Sequence, residues 1–115
     1  MGQIGINAIT TTISSGQSLS APVPTGDRVP VGLMMSAGWD AAVLTFQVST
    51  DGGQNYGELT DSSGNAVSWT VAAGRYIPFD PSVWIGINMF KIRSGTSGAA
   101  VNQTVDRILT VVARY

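Results

Sequence analysis

Cysteine and histidine are both missing from the 115-residue sequence. No disulfide, thiolate zinc site, cysteine nucleophile or imidazole base can therefore form. Charge is scarce as well: Lys and Arg number 6, Asp and Glu 7, together 11% of the chain, against about 25% in an average globular domain. The basic residues are scattered and the net charge is -1, which leaves no electrostatic footprint for nucleic acid. The opening MGQIGINAIT has neither a basic region nor a continuous apolar run, so no secretory leader is expected. Ile6 stands where an N-myristoylation signal needs Ser or Thr. No apolar run approaches the roughly 20 residues that span a bilayer. Neither a nucleic-acid partner nor a membrane partner is expected.

What is present is apolar and neutral polar. Hydrophobic residues make up 43% of the chain, and Ser, Thr, Asn and Gln number 33. That content argues against a disordered chain, which is low in hydrophobicity and high in charge. A chain of 12.0 kDa buries about two-thirds of its open-chain surface on folding, enough for a core without covalent staples. One domain over residues 1–115 is expected.

The 14 Gly and 5 Pro cut the sequence into pieces of about five to ten residues. Between the cuts, Val, Ile, Thr, Phe, Tyr and Trp dominate, which suit pleated, half-buried strands. In QIGINAITTTI (3–13), Ile4 and Ile6 fall on one parity and Ile9 and Ile13 on the other, which calls for a bulge near Asn7–Ala8. SAPVPTGDRVP (20–30) reads as a Pro-rich connector, unfit for a central strand. VGLMMS, AVLTFQVS, AVSWTV, RYIPF and INMFKIRS read as further strands. QTVDRILTVVARY sets Val105, Leu109 and Val111 against Ile108 and Val112, apolar on both parities, as in a central or doubly covered strand. Helical periodicity is confined to DPSVWIG, where Asp80 caps, Pro81 takes the first helical position and Gly86 ends the turn. The fold class expected is all-β: a single-domain antiparallel β-sandwich, jelly-roll-like, with eight or nine short strands and at most one short helix near 80–86.

STDGGQNY is the densest candidate site. Its Ser49, Asp51, Gly53 and Tyr56 follow the spacing Ser-x-Asp-x-Gly-x-x-Trp, with Tyr in the Trp position. This resembles the Asp-box of sialidases and related propellers, and the resemblance implies a structural hairpin turn remote from any catalytic centre. The residues say the same. Asp51 can accept from nearby N–H groups, Gly52 and Gly53 can take positive φ, and Tyr56 can fold over the turn.

A glycosidase-like pair would need two converging carboxylates, but Asp51, Glu58 and Asp61 all sit beside Gly-rich turns. DSSGN (61–65) spaces oxygen ligands as at the start of a calcium loop. The closing bidentate Glu is missing, so a turn explains it better. Lys91 alternates with Met89 and Arg93 along a strand. No catalytic, metal or cofactor site is expected, and the protein is read as non-enzymatic. Trp69 is assigned to the core, while Trp39 and Trp84, at element edges, are candidate partner or glycan contacts.

From Val29 on, VPVGLMMSAGWDAAVLTFQVSTDGG and FDPSVWIGINMFKIRSGTSGAAVNQTVDRILTVVARY resemble small structural proteins of tailed bacteriophages and their prophage relatives. The likeness covers about three-quarters of the chain. It implies a virion component made in the host cytoplasm, a capsid decoration (cement) protein first and a head or tail accessory protein second. The implied partners are the major capsid protein or another virion protein, and further copies of the chain itself, with a trimer favoured. A neutral polar surface suits such contacts, because desolvating hydroxyls and amides costs less than desolvating ions. Residues 1–20 are a candidate N-terminal arm, with Ile4, Ile6, Ile9 and Ile13 as its contacts on a neighbouring sheet edge. The competing reading is a carbohydrate-binding sandwich or tail accessory protein for host attachment, built on Trp39, Tyr56 and Trp84.

Overall fold

Eight strands and one turn of helix account for the regular structure of residues 8–114, the part of the chain that the computed structural model describes. In chain order these are β1 (Ala8–Ile13), β2 (Val23–Pro24), β3 (Val29–Met34), β4 (Leu44–Ser49), β5 (Gly57–Glu58), β6 (Tyr76–Pro78), α1 (Pro81–Trp84), β7 (Met89–Ser94) and β8 (Arg107–Arg114). They form two four-stranded antiparallel sheets of order β1-β8-β3-β6 and β2-β7-β4-β5. The pairs β1–β8, β2–β7, β3–β6 and β4–β5 describe one long ribbon folded back on itself. Contacts β8–β3 and β7–β4 roll that ribbon up, which is jelly-roll topology.

Alternation along the strands fills the space between the sheets. Ile13, Leu33, Leu109 and Val111 from the first sheet meet Leu44, Phe46, Phe90 and Ile92 from the second, all fully buried. Phe46, Trp69, Phe79, Trp84 and Phe90 form an aromatic cluster at the middle, with ring centroids from 4.6 to 6.4 Å apart. Edge-to-face pairs in such a cluster contribute about 0.5–1.5 kcal/mol each beyond their area burial.

Two expectations are corrected here. The Pro-rich segment 20–30 contains β2 and the start of β3. Pro24 is tolerated because β2 is an edge strand, and Pro30 because the register slips between Pro30 and Gly32, at a bulge where no ladder N–H is required. AVSWTV (66–71) forms no strand but two isolated bridges, Thr60–Ala66 and Leu44–Trp69. α1 is one turn, capped where Asp80 accepts from the Ser82 N–H at 3.0 Å. The expected bulge at Asn7–Ala8 falls partly on residues outside those described.

Candidate functional site

The Asp51 turn joins β4 to β5, and its carboxylate gathers the turn's own hydrogen-bond donors. Asp51 Oδ1 accepts from Ser49 Oγ at 2.7 Å, from the Gln54 N–H at 3.1 Å and from the Asn55 N–H at 3.0 Å. Its Oδ2 accepts from Asn55 Nδ2 at 2.8 Å. Ser49 Oγ in turn accepts from the Gly53 N–H at 2.9 Å. Gly52 and Gly53 take φ of 76° and 93°, a region costly for a side chain. The Asn55 side chain, the Asn55 amide and Ser49 together hold the Asp51 carboxyl at about 2. Tyr56 lies against Gly53, and Lys91 Nζ sits 4.5 Å from its ring centroid, a cation–π contact. With its carboxylate fully engaged, the loop is a clasp for its own turn.

The other two candidate acids, Asp61 and Glu58, are engaged as well. Asp61 Oδ1 accepts from the N–H groups of Ser63 at 2.9 Å and Asn65 at 3.0 Å, and Gly64 takes φ of 85°. Glu58 makes a bidentate pair with Arg93: Nη1 donates to Oε2 at 3.0 Å and Nη2 to Oε1. Arg93 is buried, and its Nε also donates to Thr45 Oγ1 at 3.0 Å. The Arg93 hydrogen bonds hold the Glu58 carboxyl below its usual range. Among the described residues, no three of His, Cys, Asp and Glu converge as a metal site would require.

At one end of the sandwich lies a network that the sequence reading missed. Asp40 accepts from the Thr104 N–H at 2.6 Å and from Arg107 Nη2 at 3.1 Å, and the Thr104 bond is the main cause of its lowered carboxyl pKa. Gln103, fully buried, donates from Nε2 to Ser94 Oγ at 2.8 Å and to the Asp40 carbonyl at 3.1 Å. Its Oε1 accepts from the Asp40 N–H and from Arg107 Nε. The network ties together loops some 60 residues apart, so no local pattern announces it.

Trp84 is only 1% exposed. Its place as a partner or glycan contact is corrected: α1 turns the indole into the aromatic cluster, where it removes more apolar area from water. Trp39 is half-buried, packs on the core and donates from Nε1 to the Ala42 carbonyl at 3.2 Å. Trp69 packs partly buried against the core. Ile9 and Ile13 point between the protein's own sheets, Ile13 fully buried. They belong to β1 and its pairing with β8, so residues 8–20 do not form a free arm. Ile4 and Ile6 lie outside the described residues.

Two surface features remain. An open groove of about 500 Å³ runs beside β6 and α1, lined chiefly by Val67, Trp69, Ile77, Val83, Trp84 and Asp80. The second feature is the outer face of the β1-β8-β3-β6 sheet. Ile108, Tyr76 and Met34 stand on it with 58%, 48% and 43% of their surface exposed. No known protein family and no curated protein matches this chain.

Proposed function

We propose that the protein is a non-enzymatic virion component, a capsid decoration protein that binds the outer surface of a tailed-phage shell and stabilises it through contacts with the major capsid protein and with its own copies. One observation carries this reading: the carboxylates of the candidate sites are tied into turns and ion pairs, while the centre of one sheet face offers neutral side chains to a neighbour. The resemblance over residues 29–115 points the same way, and the jelly roll suits the role without proving it, since a fold alone assigns no function. The test is gold-labelled antibody on purified particles of the phage or prophage that encodes the chain. Label on the heads, with lower heat resistance of particles lacking the protein, is the expected result. Purified particles without the protein overturn the reading.

A second reading, carbohydrate binding, is favoured by the groove, where Trp69, Ser68, Thr70 and Asp80 bring an indole and oxygen groups together. Its test is quenching or shift of tryptophan fluorescence during titration with host-surface polysaccharide. An unchanged spectrum up to millimolar repeat units rejects it.

A further inference from the structure

β8 carries two opposite parities. Leu109, Val111 and Ala113 are buried between the sheets, while Ile108, Thr110, Val112 and Arg114 face outward. Register extends this outer row across the sheet. Thr12, Thr10 and Ala8 of β1 stand opposite Ile108, Thr110 and Val112. Met34 of β3 stands opposite Thr110 and Tyr76 of β6 opposite Met34. The end of the Tyr76 ring occupies the place that a Cβ on Gly32 would take, so the ring lies flat over β3 because that residue has no side chain. The result is a level surface of methyl, hydroxyl and aromatic groups.

Among the described residues, charge on this face is confined to the ends of β8. Arg114 closes the outer row at one end, exposed. Asp106 lies one step before the strand begins at the other end, exposed, with Oδ1 accepting from the Ser15 N–H at 2.7 Å. A two-fold axis crossing β8 at Thr110, midway between residues 106 and 114, reverses the strand. It therefore lays Arg114 of each copy over Asp106 of the other. The neutral centre meets itself without repulsion, and the rim charges alternate in sign. That complementarity selects an occupant: a second copy fits this face in register, whereas an anionic polymer or an acidic peptide finds one arginine.

We infer that the outer face of the β1-β8-β3-β6 sheet is an isologous self-association surface, on which two copies pair face to face with β8 antiparallel to β8. A trimer would instead need a heterologous contact between two different surfaces. The face measures about 14 Å between its outer strands and about 20 Å along β8. That is a few hundred Å² per copy, below the roughly 800 Å² per partner of a standard interface. The pair is accordingly weak and transient, populated at high protein concentration. The inference shares with the shell reading only the expectation of self-contact, and it is tested on the free protein with no capsid present.

Sedimentation equilibrium of the full chain, from about 10 µM to about 1 mM, covers the range of weak pairing. A monomer–dimer equilibrium is expected. Ile108→Glu weakens it at least tenfold, and Gln47→Glu, on the opposite sheet, leaves it unchanged within twofold. Arg114→Glu and Asp106→Lys each weaken pairing, and the double exchange restores it. Monomer throughout, a trimer, or a dimer indifferent to Ile108→Glu overturns the inference. A dimer whose charge exchanges fail to compensate overturns the two-fold register. Circular dichroism of each variant separates lost pairing from lost fold.

Discussion

The two sheets of this sandwich share a core but turn different chemistry outward. Across the β2-β7-β4-β5 sheet run Gln47, Glu58, Lys91 and Arg93, and these long side chains have partners within the chain. Arg93 pairs with Glu58 and bonds Thr45, and Lys91 covers Tyr56. Across the β1-β8-β3-β6 sheet run Ala8, Thr10, Thr12, Ile108, Thr110, Val112, Met34 and Tyr76, short or apolar groups that occupy no one. A face whose charges are matched within the chain has satisfied its own demands. A face with apolar groups in water gains from a neighbour, at about 25 cal/mol per Å² of apolar surface covered. The contrast teaches that charges matched across one sheet leave that face nothing to gain from a neighbour, whereas the apolar groups on the other face have something to gain.

The comparison breaks first at neighbouring residues of β8. Leu109→Ala removes a fully buried side chain and should lower unfolding free energy by about 2–5 kcal/mol. Ile108→Thr, one residue away on the open face, should change it by no more than about 0.5 kcal/mol. Urea denaturation of both variants at low protein concentration measures the difference, and similar losses would mean that the open face is covered within the monomer.

The next effect lies on the opposite sheet. Glu58→Ala strips the partner from buried Arg93 and should cost about 2 kcal/mol. That is below the 3–5 kcal/mol of a fully buried pair, because the Glu58 side chain is 39% exposed. Thr110→Ala on the neutral face should cost well under 1 kcal/mol. Equal costs would erase the distinction between a face that holds the fold and a face that is free for a partner.

Acid sharpens the same contrast. Asp51 and Glu58 have folded pKa values below their unfolded ones. Their contribution is therefore present above the unfolded pKa and lost as pH falls through the folded one. For Asp51, from 3.8 in the unfolded chain to about 2 in the folded one, that window runs from about pH 4 to pH 2. Thermal unfolding should show stability falling over this range, and Asp51→Asn should flatten part of the fall. Thr110→Val should leave the profile's shape unaltered. A profile unchanged by Asp51→Asn would mean that the carboxylate is not holding the turn.

Much of this fold was legible because local rules and tertiary demands agree. The alternation of Leu44, Phe46 and Val48, the cap at Asp80 and the opposed apolar parities of 105–112 each report on a nearest neighbour, and each element forms where those residues stand. Segments 20–30 and 66–71 misled for the same reason in reverse. Pro24 and Pro30 are admitted by an edge and a bulge, which are properties of the partner strand. Trp69 satisfies its backbone against Leu44 alone.

The Asp51 turn could be read at the level of hydrogen bonds, since all its partners lie within a few residues. The Asp40–Gln103–Arg107 network and the Arg93–Glu58 pair could not, because their members meet only once the ribbon has rolled up. Apolar residues on both parities of β8 signalled a central or doubly covered strand; β8 is central, between β1 and β3, and within the described residues nothing covers its outer row.

The most direct test of that face is a dilution series of amide nitrogen–hydrogen spectra on the 115-residue chain. The account predicts that concentration-dependent shifts gather on Thr10, Thr12, Met34, Tyr76, Ile108, Thr110 and Val112, and that Gln47, Glu58, Lys91 and Arg93 stay still. Shifts centred on the second sheet, or spectra identical from dilute to concentrated, would contradict it.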